Sequence, residues 1–589
     1  MTCTVCNKSD DFSQKTGKCI FHCDKEDWYK VDPENPKNKD WSKSKGNIDR
    51  FWLAIREYFK ENIGEKILSF KKFVFPSFQE IIFLDNGCLA EDTNFWYTTS
   101  QTFDGSKFSL RFYRMVDFSQ AIFLSQANFV QVLFQGPVSF KESIFHDGLL
   151  LNDCKFKKTI SFEKIQAKGY VELRGFFEER LTIKHSVFSD NFCFNESTFV
   201  EKADILMMDN TFGDGFLLQN SLFQDKFDSS LNKFHSFLSR HTDFYGDVFF
   251  HQDEFWGGGK NNENNPSTVF RSLEFYKKVK FSLCKFYQLT LFEHLNFSKD
   301  LWFLGPKFYD QVAFNHVEFS STHKTLFQAP KRHESGSKPT EEVGKVFYPD
   351  PEKGEKEEKQ KKDKKVHFNN IIFPEKTIFR WINLEDVSFQ KSFIECLKFD
   401  ECIFEQEDGR IVLYDEKELR KKVPQTAHNY EEVENIYRQF KKNFDNKKDF
   451  ETAGDFYIGE MEMRREKFKK QIQSENSEGL FDTRIRLFLL SCFKLFSYYG
   501  ERPSRILGWI VLAILCFAIV FDIYSTLPFW KSLGLSLKSF FPFLTVDHLP
   551  EDCYGQIKPI VSFSYNFERI ISFVFWFLFA LSVRQKFRR

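Results

Sequence analysis

The sequence predicts a mainly β fold, a solenoid of four-sided coils with about 22 residues per coil, joined to helices of which the last two cross a membrane. Three observations predict it. Phenylalanine supplies 78 of 589 residues, and through long stretches it recurs at alternating spacings of five and six. Aromatic residues make up 18% of the chain while mean hydropathy is −0.42, so strongly apolar positions are set among polar ones in one small repeating pattern. Near the carboxy terminus the composition changes to apolar runs long enough to span a bilayer.

The alternation is clearest at Phe281, Phe286, Phe292, Phe297, Phe303, Phe308, Phe314 and Phe319. It also runs from Phe118 through Phe123, Phe129, Phe134, Phe140, Phe145, Leu151 and Phe156 to Phe162, and again through Phe188, Phe194, Phe199 and Ile205. A step of five turns about 140° around an α-helix, so two such stripes could not share a seam, and the intervening Ser, Asn, Asp, Gly and Thr favour turns. Each step is therefore read as one side of a square coil, with its Phe inward. The residue two before each Phe shares that face and is small or aliphatic, as at Ala121, Ala127, Val132, Val138, Ser143, Ser186, Ser197, Thr290, Val312 and Val317. Cys154, Cys284 and Cys402 occupy the same position and read as small core residues. The pattern resembles the pentapeptide-repeat family, whose fold is a right-handed quadrilateral β-helix; the 5/6 alternation departs from that family's five-residue register and implies the wider coil. The solenoid is expected over residues 70–410, with each buried Phe contributing ~1.5–3 kcal/mol.

Two close pairs of ligand-type residues open the chain: Cys3-x-x-Cys6 and, after twelve intervening residues, Cys19-x-x-His22-Cys23. Each tight turn can supply two ligands to tetrahedral zinc, and four protein ligands close the site to catalysis. A structural zinc module is therefore expected over residues 1–30 with Cys3, Cys6, Cys19 and a fourth ligand, for which His22 and Cys23 compete. The KCIFH stretch resembles the zinc-ribbon-like start of related repeat proteins, and that resemblance favours His22. The opening MTCTVCNKSDDF has no apolar run of the secretory type, and 13 Cys is an odd number; both predict free thiols in a reducing compartment.

A solenoid exposes an apolar end that needs covering. Residues 47–63 place Ile48, Phe51, Trp52, Ile55, Phe59 and Ile63 on one helical stripe, which suits an amino-terminal cap. Further on, residues 331–365 are dense in charge and predict a disordered insertion, and the WGGGKNNENNPS loop from Trp256 lacks Walker spacing. Residues 415–475 predict a helical hairpin with Tyr430, Val433, Tyr437, Phe440 and Phe444 on one face, able to cap the rod or link subunits. Residues 477–500 mix apolar runs with Arg484, Arg486 and Lys494, as an interfacial helix does.

The apolar run from Ile506 to Phe521, extendable to Tyr524, predicts a first span, and the run from Ile570 to Val583, extended back to Tyr565, a second. Extending the second places Glu568 and Arg569 near the outer interface. Arg502 and Arg505 before the first span, and Arg584, Lys586, Arg588 and Arg589 after the second, predict a multi-pass protein of the cell (inner) membrane with both termini cytoplasmic. Residues 532–548 between the spans suit a re-entrant segment. The stretch from GEMEMRRE through SYYGERPSRILGW to the terminal QKFRR resembles bacterial pentapeptide-repeat proteins carrying a two-helix, potassium-channel-like domain. That resemblance implies pore-lining carbonyls at Phe543, Leu544, Thr545, Val546 and Asp547 within residues 504–589, and a homo-oligomer, a tetramer by analogy. In the family the filter carries glycines; here Asp547 and His548 follow Thr545-Val546, which puts potassium selectivity in question.

Two functions follow as expectations: an ion-channel-like membrane protein with a cytosolic sensing rod, or a non-conducting anchored scaffold whose β-helix binds a protein partner. A formal net charge of +0 argues against a nucleic-acid partner or an acidic DNA mimic. The absence of a nucleophile–base motif, a metalloprotease helix or a Walker loop argues against an enzyme.

Overall fold

The computed structural model describes residues 2–34, 39–62, 64–78, 102–103, 106–107, 110–256, 268–329, 365–422, 424–474, 480–524, 528–541 and 559–587. The chain forms two compact units, one of Met1–Ser388 with Cys396–Ile403 and one of Phe389–Glu395 with Phe404–Arg589. Ile63, the Gly/Asn loop after Trp256, the charged insertion up to Lys364, and residues Phe543 to Asp547 lie outside the described residues.

The first unit is a β-solenoid of about 11 turns of about 22 residues. In one turn, Val138–Ser139, Ile144–Phe145 and Leu149–Phe156 pair in parallel with the segments 22 residues on, Val138 with Ile160, Ile144 with Gln166 and Leu149 with Val171. The strands form a 13-stranded, a 10-stranded and a 16-stranded sheet. The last carries two sides of the coil, because segments such as Leu149–Phe156 turn a corner within one strand, with a register shift between Leu151 and Cys154. Phe140, Phe145, Leu151 and Phe156, one per side, are all 0% exposed.

Coil rise equals inter-strand spacing, so each inward ring meets the same position one coil away. Phe112, Phe134, Phe156, Phe177 and Phe199 stack in one column at 5.1, 4.9, 5.0 and 4.3 Å with planes within 10°. The ten residues expected two before a Phe are all buried. One stretch differs from the sequence reading. Two extra residues after Phe199 seat Met207, rather than Ile205, above Ile183, while Ile205 pairs with Leu181.

The eleven-residue period has a backbone cause. A six-residue step keeps the strand's in/out parity, whereas an odd step reverses it. In the five-residue steps the reversal is made by a left-handed residue two places past the inward one, at Gln120, Gln131, Glu142, Asp153 and Lys164, with φ between 53° and 60°. Leu173 to Phe177 is shortened to four residues, the even step needs no reversal, and the segment runs on as one strand. Gly175 stands at its centre because a Cβ there would lie 2.2 Å from the Cys154 carbonyl oxygen. Some sides, such as Phe234 to Ser239, turn with no left-handed residue. After the left-handed corner the next side chain faces inward and satisfies a carbonyl of the coil before. Ser143 Oγ donates to Phe118 O at 2.7 Å, and Cys154 and Cys284 thiols donate to Phe129 O and Phe250 O at 3.3 and 3.4 Å.

Farther along, Asn and Asp take this place and form a ladder. Asn210 Oδ1 accepts from Ser186 N, Asn232 Oδ1 from Asn210 N, and Asp253 Oδ1 from Asn232 N, at 2.9, 2.9 and 2.8 Å. Asp253 is 0% exposed and its Oδ2 has no partner. Burial pushes its carboxyl up to about 7 against the lowering effect of hydrogen bonds from Asn232 and Ser229.

The amino-terminal residues pack on the first coil. Helix α1 (Asp11–Thr16) is short; α2 (Lys45–Glu61) buries Ile48, Phe51, Trp52, Ile55 and Phe59, and the Phe51 and Trp52 rings meet Phe75 at 5.8 and 6.3 Å. Trp52 Nε1 donates to Ser77 O at 3.2 Å, which satisfies the one polar group of that apolar face.

The second unit is helical: α3 (Tyr414–Lys421), α4 (Ala427–Asn446), α5 (Phe450–Ser474), α6 (Leu480–Ser497), α7 (Pro503–Tyr524), α8 (Phe529–Phe540) and α9 (Pro559–Phe587). Helices α4 and α5 cross closely at Gly459, where a Cβ would lie 2.2 Å from the Tyr437 ring. Tyr430, Val433, Tyr437, Phe440 and Phe444 are buried, and the Phe440 and Phe456 rings stack at 4.7 Å. Gln439 and Asn443 hold the loop at Ser392–Glu395 through its backbone. A buried pair, Arg410 on Glu416 at 2.5 Å, is completed by Tyr437, whose hydroxyl donates to Glu416.

Two predictions follow from the corners and the ladder. Leu231 is left-handed (φ 58°) and half exposed. Leu231→Val, which puts a β-branch where L-residues already lose ~1–2 kcal/mol, is expected to unfold at lower denaturant than Leu231→Asn; equal midpoints would contradict the corner conformation. For Asp253 the folded value lies above the unfolded one of ~4, so its stability contribution is greatest below the unfolded value and is lost as pH rises through about 7. Asp253→Asn should therefore raise the melting temperature at alkaline pH and change it little near the unfolded value, measured by thermal unfolding across pH.

Candidate functional site

Cys3, Cys6, Cys19 and His22 come together: their ligand atoms all lie within 4.8 Å of one another. Local backbone geometry explains how twelve intervening residues allow this. Cys3 N donates to Lys8 O and Asn7 N to Cys3 O, closing the first turn, with Asn7 left-handed at φ 58°. The second turn is closed by His22 N and Cys23 N, both donating to Cys19 O at 2.9 and 2.8 Å. Between them α1 is fixed by a capping box of Asp10 and Ser13 and ends on left-handed Gly17, whose carbonyl accepts from Thr4 N at 3.0 Å. The second Asp10 oxygen accepts from Ile20 N at 2.8 Å. The two turns are thus tied face to face before any ion is considered.

The dimensions fit zinc. Zn–S and Zn–N bonds of about 2.3 and 2.0 Å at tetrahedral angles set ligand–ligand separations of roughly 3.5–3.8 Å. Cys6 Sγ lies 3.5 Å from Cys19 Sγ, and His22 Nδ1 lies 3.1 and 3.7 Å from the sulfurs of Cys19 and Cys3. Val5 N donates to Cys3 Sγ at 3.4 Å. Burial pushes the Cys6 and Cys19 thiols up and holds His22 below its usual value, whereas for Cys3 backbone donors from Cys19, Val5 and Cys6 outweigh burial and bring the thiol to about 7. A neutral imidazole is the ligating form, and a divalent cation bound here would supply the charge that lets crowded thiolates coexist. Cys23, the competitor for the fourth place, is turned away and its thiol donates to Ile20 O at 3.6 Å.

This centre is held against the solenoid's first coil. Phe21 stacks on Phe73 at 4.6 Å, His22 meets the same ring edge-on at 5.2 Å, and Val74 N donates to Phe21 O at 2.7 Å. The adjoining pocket is lined by Cys6, Lys8, His22, Tyr58, Lys71 and Lys72. Lys25, unused by the sequence reading, lies 5.0 and 5.2 Å from the Phe51 and Trp28 ring centres; burial lowers its ammonium to about 8.

At the other end of the chain, α7 and α9 are long and apolar enough to cross a membrane, with mean hydropathy 2.7 and 1.5 over an 18-residue window within Pro503–Tyr524 and within Ile560–Arg584. The helix of the second candidate span begins at Pro559, and the adjacent charges divide: Glu568 is 0% exposed while Arg569 is exposed. Helix α8, twelve residues long, packs on both. Ile506, Ile510, Ile514, Phe540 and Phe575 form one apolar cluster among the three helices, and Phe521, Leu535 and Val561 a second. Left-handed Tyr498, Tyr499 and Gly500 join α6 to α7. Arg502 and Arg505 sit over the Tyr498 ring at 4.6 Å each, and Tyr499 donates to Glu462 at 2.9 Å.

No protein-family model matches the chain, and no curated protein or solved structure matches it.

Metal analysis tests the centre directly. The purified chain is expected to carry about one zinc per chain, and Cys3→Ser or Cys19→Ser to lose it while Cys23→Ser keeps it, read by elemental mass spectrometry. Loss in Cys23→Ser with retention in His22→Ala would overturn the assignment of the fourth ligand.

Proposed function

We propose that this chain is a membrane-anchored β-solenoid protein whose carboxy-terminal helices α7, α8 and α9 form an ion-channel-like module, with the solenoid as its cytosolic sensing or interaction rod. The observation that carries the membrane assignment is exposure. A core helix of a soluble protein is mostly buried, whereas only 28% and 22% of the 18-residue apolar windows of the two candidate spans is buried. Val511, Ile519 and Ile523 on α7, and Phe563, Ile570 and Phe577 on α9, are 50–70% exposed. Side chains of this kind need lipid or protein cover. Helix α7 is about 33 Å long at the α-helical rise, close to the ~30 Å hydrocarbon core. Helix α6 exposes Phe481, Phe488 and Leu489 beside exposed Arg484 and Arg486, the make-up of a helix lying in the headgroup region. Trp530, at 78% exposure, suits an interfacial belt.

The pore reading adds α8. A short helix packed between two spans has the plan of a re-entrant pore helix, and a pore of two-span subunits requires several copies, a homo-oligomer. Arg502 and Arg505 before α7 and Arg584 at the end of α9 favour a cytoplasmic location for both termini. In this reading zinc at Cys3, Cys6, Cys19 and His22 stabilises the amino-terminal module, since structural zinc sites contribute folding energy directly. The second reading, a non-conducting anchor for a protein-binding solenoid, is favoured by one feature: Thr545-Val546 is followed by Asp547 and His548 where a carbonyl-lined filter uses glycine.

Ion flux separates the two. Liposomes holding the full-length chain are expected to release a trapped cation, and liposomes treated with a chain ending before Arg505 are not. No flux from protein shown to be folded and inserted would reject the pore and leave the anchored scaffold.

A further inference from the structure

The strongest unassigned feature lies among α7, α8 and α9. Ser532, Ser536 and Ser539 form a polar stripe on one face of α8 and are 0%, 0% and 1% exposed; Glu568 of α9 faces them, also 0% exposed. Such a carboxyl in an apolar helix packing is costly unless it is neutralised. Among the described residues no basic side chain pairs with it. The other charged residues of the three helices whose exposure is described, Arg505 and Asp522 on α7, Lys531 and Lys538 on α8, and Arg569 and Arg584 on α9, are all exposed.

The hydrogen bonds point to the neutral form. Ser536 Oγ carries one hydrogen but makes two contacts, to Ile514 O at 2.9 Å and to Glu568 Oε1. Ile514 O can only accept. An ionised Glu568 could also only accept, and one hydrogen would serve two acceptors. If the carboxyl carries a proton, Glu568 donates to Ser536 Oγ and Ser536 donates to Ile514 O, so both contacts are satisfied. Of the neighbouring hydroxyls, Ser572 donates to Phe540 O at 2.5 Å, and Ser539, which also faces Glu568, has its one hydrogen shared with Tyr565 O at 3.1 Å. Glu568 Oε2 and Ser532 Oγ, one turn before Ser536, are both buried without a partner.

We propose that Glu568 and Ser536, with Ser532 beside them, form a proton-binding site inside the helical module. The proton lies on the carboxyl and is donated to Ser536 Oγ. No covalent change other than carboxyl protonation is involved, and the site does not depend on whether the module conducts.

Infrared difference spectroscopy of the full-length chain in lipid vesicles tests this. At neutral pH the carbonyl stretch of a protonated carboxylic acid is expected, lost in Glu568→Gln and shifted in Ser536→Ala, which keeps the acid and removes its acceptor. Should Glu568→Gln fail to fold, the Ser536→Ala shift alone decides. A spectrum with only ionised carboxylate at neutral pH would overturn the proposal. So would a band present in choline chloride that disappears in sodium chloride, since the carboxyl would then bind a metal cation in place of a proton.

Discussion

The solenoid depends on one constraint, that every inward side chain meets its counterpart one inter-strand distance away. At that spacing flat rings stack, and a coil filled by Phe leaves little unoccupied interior. The column from Phe112 to Phe199 runs through five coils with ring separations of 4.3–5.1 Å. Aromatic pairs add ~0.5–1.5 kcal/mol beyond area burial, so repetition makes a stable rod from a chain of low mean hydropathy. It also restricts insertions to corners: the charged stretch after Ala329 interrupts the chain, yet Thr325 still pairs with Thr377.

Stacking also sets the corner chemistry. A left-handed residue reverses parity at an odd step and leaves the ladder interrupted there, and the next small polar side chain then caps a carbonyl of the preceding coil. Ser143, Cys154, Cys284, Asn210 and Asn232 serve this one need with different atoms. That is why cysteine recurs in the core of a protein with no disulfide among its described residues. Asp253 continues the same column with a carboxyl, and there the local cost is electrostatic.

Much of this was legible because Phe spacing is a direct record of side length, and the residue two positions earlier records the shared strand face. The candidate metal cluster was legible for a similar reason, since paired cysteines at knuckle spacing have few other uses; in the sequence a resemblance alone favours His22 over Cys23, and the fold of the second turn brings His22 to the other three. The left-handed corners were not legible, because Gln120, Glu142, Lys164 and Leu231 have no preference for that conformation and are held there by the stacked coils. Nor was the division of Glu568 from Arg569. Adjacent residues on a helix point about 100° apart, and only the position of α8 decides which of them is buried. The shift to Met207 reflects a two-residue insertion that the apolar Ile205 concealed.

The self-stacking coils bury their apolar side chains within the chain, whereas α7 and α9 leave many of theirs exposed, and the proposed function assigns lipid as their cover. The most direct test of that assignment is flotation of membranes from cells making the full-length chain, after alkaline extraction has stripped peripheral proteins. The account predicts that the chain rises with the lipid fraction, as an integrated protein does. Release of folded chain into the alkaline supernatant would contradict it, because α7 and α9 would then be covered by protein and the membrane reading would fall.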